Sequence, residues 1–133
     1  MKIICALILI LLIGLNSLYD WYMINRARKK GETHIFHPSR FLIRFVVIAF
    51  NASLFVEFNP DRSWEVTKLM LLQAAIFWIV FDYLLNVMRG LPIDYVGETA
   101  NADTIFQRFS NPFLVQISVK LFALTGSIFW VIW

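Results

Sequence analysis

Residues 64–92 read WEVTKLMLLQAAIFWIVFDYLLNVMRGLP, and this stretch decides the fold. Between Val66 and Met88 the only charged residues are Lys68 and Asp82. At a rise of about 1.5 Å per residue, a helix of that length crosses a hydrocarbon core of about 30 Å. Glu65 suits the first turn of such a helix, where the backbone dipole favours an acid. Gly90-Leu91-Pro92 marks its end, because glycine accepts a left-handed cap and proline prevents the helix from resuming. Near this end Asp82, Asn86 and Arg89 fall at i, i+4 and i+7 and share one helix face. The polar loop beyond them carries Tyr95, Gly97, Glu98 and Asp103.

The rest of the chain repeats the apolar pattern. Ile3 to Tyr19 holds no charge, and the helix predicted there continues to about Ile24. A signal peptide is the rival reading. The positive n-region is only Lys2, no small-x-small cleavage site follows, and a basic block comes directly after, so the segment reads as an uncleaved first span. Phe41 to Phe58 is a second apolar segment, interrupted by Arg44 and Glu57, with a helix start at Pro38-Ser39. Asn59-Pro60-Asp61-Arg62-Ser63 is a compact turn, which makes the second and third helices an antiparallel hairpin. Asn111-Pro112 forms a cap and first helical position for a last span ending at Trp133. Between the third and last spans, Ile105 to Phe109 is a short amphipathic piece suited to the membrane interface.

The predicted fold is therefore all-α: one integral membrane domain over residues 1–133, a four-helix transmembrane bundle with helices at roughly 3–24, 41–58, 64–88 and 112–133. Composition agrees, with 59% hydrophobic residues, 17% aromatic, 16% charged and a mean hydropathy of +0.68. A soluble domain of this size cannot hide that much apolar surface in one core. The net charge is +3 and the pI near 9.2, but the basic residues concentrate between apolar stretches, which signals topology rather than nucleic acid. With the first loop inside, eight Lys and Arg residues (Arg26, Arg28, Lys29, Lys30, Arg40, Arg44, Arg89 and Arg108) face three outside (Lys2, Arg62 and Lys68). The count puts both termini outside the cytoplasm of a bacterial inner membrane, whether the chain is bacterial or phage-encoded. Trp64, Trp130 and Trp133 then lie near the outer interface and Trp21 near the inner one.

Each predicted span carries polar residues at helical spacing: Asn16 and Asp20, then Arg44 and Asn51, then Asp82, Asn86 and Arg89, then Gln116, Lys120 and Ser127. Unsatisfied polar groups in hydrocarbon cost several kcal/mol each, so the stripes should face one another around a common axis. Asp82 lies about 9 Å and Lys120 about 12 Å from the inner helix ends, at similar depth on antiparallel neighbours. A salt bridge between them offsets their desolvation, and Arg44 is placed to join it. Asp20, Arg44, Asp82, Asn86, Arg89, Gln116 and Lys120 are thus the candidate intramembrane polar cluster.

Other chemistry is thinly represented. His34-x-x-His37 is the only metal-like spacing, and two histidines cannot supply the several boxes of membrane di-iron enzymes. Asp94, Glu98 and Asp103 could hold a divalent ion, but Pro92 and Gly97 mark ordinary turns. Phosphate loops, nucleophile elbows and Cys–His pairings are missing, and Cys5 stands alone. No catalytic residue, cofactor or metal is expected. The expected partners are the lipid bilayer, other membrane subunits or further copies of the chain. A non-enzymatic accessory or assembly component of a membrane complex comes first. A small oligomeric transporter or channel using Asp82, Asn86 and Lys120 comes second, and a holin-like phage pore former third.

Overall fold

A computed structural model describes residues 2–30, 38–57, 59–97 and 101–133. Among these residues the secondary structure is entirely helical, without strands. Helix α1 spans Lys2–Lys30, α2 Pro38–Phe55, α3 Ser63–Met88, α4 Asn101–Phe106 and α5 Pro112–Ile132. Three of them are long and apolar enough to cross a membrane: α1, α3 together with the turn before it, and α5. Helix α2 is the shorter apolar partner, with Leu42–Phe55 as its apolar part.

The helix ends follow local chemistry. Helix α1 runs past the expected stop near residue 24 to Lys30. Its last turn carries Arg28, Lys29 and Lys30, cations that favour the negative end of the helix dipole, and no glycine or proline interrupts it after Gly14. Helix α2 starts at Pro38 rather than 41 and stops at Phe55 rather than 58. Glu57 leaves the helix at φ 60, its amide donating to the Leu54 carbonyl at 3.1 Å. The expected tight turn follows: Asn59 accepts from the Asp61 amide at 3.0 Å, and Pro60–Arg62 make one 3₁₀ turn. Helix α3 ends as its sequence predicts. Gly90 sits at φ 68, its amide bonds the Val87 carbonyl at 3.0 Å, and the Leu91 amide reaches back to Asn86 at 3.0 Å. These two bonds are the Schellman pair that satisfies the last free carbonyls of a helix. At the start of α5, Asn111 accepts from the Leu114 amide at 3.0 Å and Pro112 takes the first helical position.

Helix α3 is the hub of the packing. It lies against α1, α2 and α5, while α1 also packs on α2, and α5 touches α3 and α4 alone among these helices. Gln73, Phe77 and Phe81, at i, i+4 and i+8, make the α3 face toward α1 and α2. Phe77 and Phe81 stack at 5.2 Å and join Leu12, Ile13 and Ile48 in the main apolar cluster. The opposite face of α3 meets α5, and at one end of that contact Trp64 and Trp130 form an edge-to-face pair at 5.1 Å. The two helices therefore run antiparallel with matched ends. Of the predicted amphipathic piece, only Ile105 and Phe106 are helical, and Arg108 and Phe109 continue as a turn. Gln107 ties that turn to the loop after α3, donating to the Val96 carbonyl at 3.0 Å.

Candidate functional site

The polar residues of the helices gather in two separate places, one on each side of α3, rather than around a single axis. Between α1, α2 and α3, Arg44 is the centre. Its Nη2 meets Asp20 Oδ2 at 2.7 Å and its Nε donates to Asn16 Oδ1 at 3.0 Å. Asn16 is itself oriented by donating to the Leu12 carbonyl at 2.8 Å. The guanidinium also lies 4.5 Å from the Phe81 ring centre and 5.5 Å from that of Phe77. A planar, weakly hydrated cation stacked on aromatic faces and bonded to a carboxylate needs little water to be stable. Arg44 is thus committed to Asp20 and Asn16, and the expectation that it joins Asp82 is corrected: that acid lies on the other face of α3.

Further along the same three helices is a polar contact of a different kind. Asn51, 1% exposed, donates through Nδ2 to the Cys5 carbonyl and to Gln73 Oε1, both at 3.0 Å. Its Oδ1 is buried without a partner in the structure. Ser17, also fully buried, turns its hydroxyl back onto the Ile13 carbonyl of its own helix. Sequence reasoning placed Asn51 on a polar stripe but passed over Gln73 and Ser17. The available signal was an amide side chain in an uncharged run of α3, four residues before Phe77 and on the same face.

Between α3 and α5 the predicted pair is present. Lys120 Nζ donates to Asp82 Oδ2 at 2.7 Å. Two rings enclose the ammonium, Trp78 at 5.6 Å and Tyr83 at 5.3 Å from their centres. The burial is unequal: the Lys120 side chain is 0% exposed and that of Asp82 30%. A cation with no access to solvent is neutralised by one oxygen of an acid that still faces outward. Gln116 is buried one turn before Lys120 on the same face of α5. Lys68, counted above with the outer basic residues, is buried as well, on the α3 face that carries Ala75 and Asp82.

Asn86 and Arg89 serve the helix end. Asn86 Nδ2 donates to the Tyr95 carbonyl at 2.8 Å, and the Arg89 guanidinium lies 5.6 Å from the Tyr95 ring centre. Arg89 Nε is buried without a partner. These two residues pin the loop after α3 back onto the helix, whereas Asp82 bonds Lys120 of α5. The structure thus divides the seven candidates: Asp20 with Arg44, Asp82 with Lys120 above Gln116, and Asn86 with Arg89 at the loop.

Among the described residues no three His, Cys, Asp or Glu side chains are grouped to hold a metal ion. His34, His37 and Glu98 lie outside the described residues, and the Asp103 side chain is likewise not described. What the arrangement defines is a class, an all-helical membrane-associated protein with two interhelical ion pairs, one of which holds a fully buried cation. Comparison of the chain with protein-family models, with curated proteins and with solved structures gives no match.

Proposed function

We propose that the four long helices all cross the membrane as one bundle and that the chain is a non-enzymatic accessory or assembly subunit of a larger membrane complex. The tight turn after α2 supports the fourth crossing, since it returns the chain alongside α3. The eighteen residues of α2 span about 27 Å as a helix, close to the thickness of a hydrocarbon core. The cluster Arg28, Lys29 and Lys30 at the end of α1 supports a cytoplasmic first loop with both termini on the opposite side of a bacterial inner membrane.

One observation carries the assembly reading, the asymmetry of the Asp82–Lys120 pair. An acid inside the hydrocarbon needs donors for all its lone pairs, and Lys120 supplies one. The exposed remainder of Asp82 is what a donor on a neighbouring membrane helix would complete. Helix α5 adds apolar side chains for such packing, among them Leu121, Phe122 and Phe129. The test is purification of the tagged full chain in mild detergent, as wild type and as the charge-free double variant Asp82→Asn/Lys120→Met. The wild type should carry an integral membrane partner at fixed stoichiometry and the folded double variant should lose it. Retention of the partner by the double variant would leave the pair as a fastener of α3 to α5 and nothing more.

The same exposed acid favours a second reading, an oligomeric transporter or channel whose route passes Asp82, Asn86 and Lys120. Flux into proteoliposomes that depends on Asp82 would promote it over the first.

A further inference from the structure

At the basic end of α1 a surface groove of 520 Å³ is lined by Trp21, Tyr22, Asn25, Arg26 and Lys29. These residues come from adjacent ridges of one helix. Trp21 and Asn25 are four apart, and Tyr22, Arg26 and Lys29 follow at i, i+4 and i+7. The groove is therefore graded along the helix axis, aromatic where α1 leaves its uncharged stretch and cationic about 12 Å further on. That gradient matches the passage from acyl chain through glycerol to headgroup, where amphipathic rings and then cations are favoured.

The cations are available. Arg26 and Lys29 are exposed, and neither pairs with an acid among the described residues. Asp20, the nearest acid on α1 in sequence, is engaged by Arg44 on the inner side of the helix. A guanidinium and an ammonium one turn apart, in a groove that Asn25 and Tyr22 also line, make a donor set suited to phosphate oxygens.

We propose that this groove binds the phosphate of an anionic phospholipid, with Arg26 and Lys29 on the phosphate, Asn25 and Tyr22 on the ester and glycerol oxygens, and Trp21 against the upper acyl chain. The site is independent of Asp82 and α5, so it stands or falls apart from the assembly reading. The test is native mass spectrometry of the purified full chain in a neutral detergent, titrated separately with phosphatidylglycerol, phosphatidylcholine and inorganic phosphate. Three proteins are compared: wild type, Arg26→Gln/Lys29→Gln, and Arg28→Gln/Lys30→Gln, which has the same net charge but leaves the groove intact. Phosphatidylglycerol should bind the wild type as one discrete lipid. Each cation near a lipid surface contributes enough that losing both groove cations should weaken that binding roughly thirtyfold. The Arg28→Gln/Lys30→Gln protein should remain within roughly threefold of wild type, a difference below 1 kcal/mol. Equal weakening in both double variants would mean diffuse attraction and overturn the site. Equal affinity for phosphatidylcholine would overturn the role of the cations, and an equal response to inorganic phosphate would overturn the lipid as its source.

Discussion

Replacing Asp82 by Asn removes the one carboxylate that, among the described residues, bonds the ammonium of Lys120, which has no exposed surface. Breaking a buried ion pair from one side costs about 3–5 kcal/mol, because the remaining charge is left uncompensated in a low-dielectric site. Trp78 and Tyr83 still present their rings to Lys120, each at more than 5 Å from centre to nitrogen, so the loss should fall at the lower end, about 3 kcal/mol. Lys120→Met should cost less, about 1–2 kcal/mol, because the acid it abandons is 30% exposed and already faces outward. The double variant Asp82→Asn/Lys120→Met carries no charge at the contact and should return to within about 1 kcal/mol of wild type. The coupling energy is then at least about 3 kcal/mol, a value read from a double-mutant cycle of unfolding free energies in mixed micelles titrated with a denaturing detergent. If Asp82→Asn lies within about 0.5 kcal/mol of wild type, or if the double variant is no more stable than Asp82→Asn, the reasoning fails.

Two more perturbations test the other contacts. Arg44→Leu leaves Asp20 and Asn16 without their shared donor and should destabilise the α1–α2–α3 packing by about 3 kcal/mol in the same titration, with partial rescue by Asp20→Asn. Gly90→Ala places a Cβ at φ 68, where open space removes any clash but the left-handed backbone still costs about 1–2 kcal/mol; a neutral result would refute the cap.

The helices were legible because their signals are local. Long uncharged runs, Asn59-Pro60 and Asn111-Pro112 at the starts, and Gly90 at one end each act within a few residues, and the structure shows the same turn and caps. Boundaries at α1 and α2 were less legible, since where a helix stops in a polar segment depends on small balances such as the dipole preference of Arg28, Lys29 and Lys30. The Asp82–Lys120 contact could be read from depth and sign alone. The partner of Arg44 could not, because depth says nothing of which face of α3 a neighbour occupies. With α5 on one face and α1 and α2 on the other, polar residues of equal depth stay apart. Gln73 was missed for the same reason, its meaning residing in Asn51 across the interface.

With α3 enclosed from both sides, tolerance to substitution should be distributed very unevenly along this chain. At Ala75 or Phe77 any change of volume presses directly on a neighbouring helix, and close packing leaves little room to adjust. At Phe122, 80% exposed on α5, one oily residue exchanges for another without touching a neighbour. Variation among natural versions of this protein should therefore accumulate on the outward surface of the last helix, while the third stays nearly fixed in size and shape at Gln73, Ala75, Phe77 and Phe81.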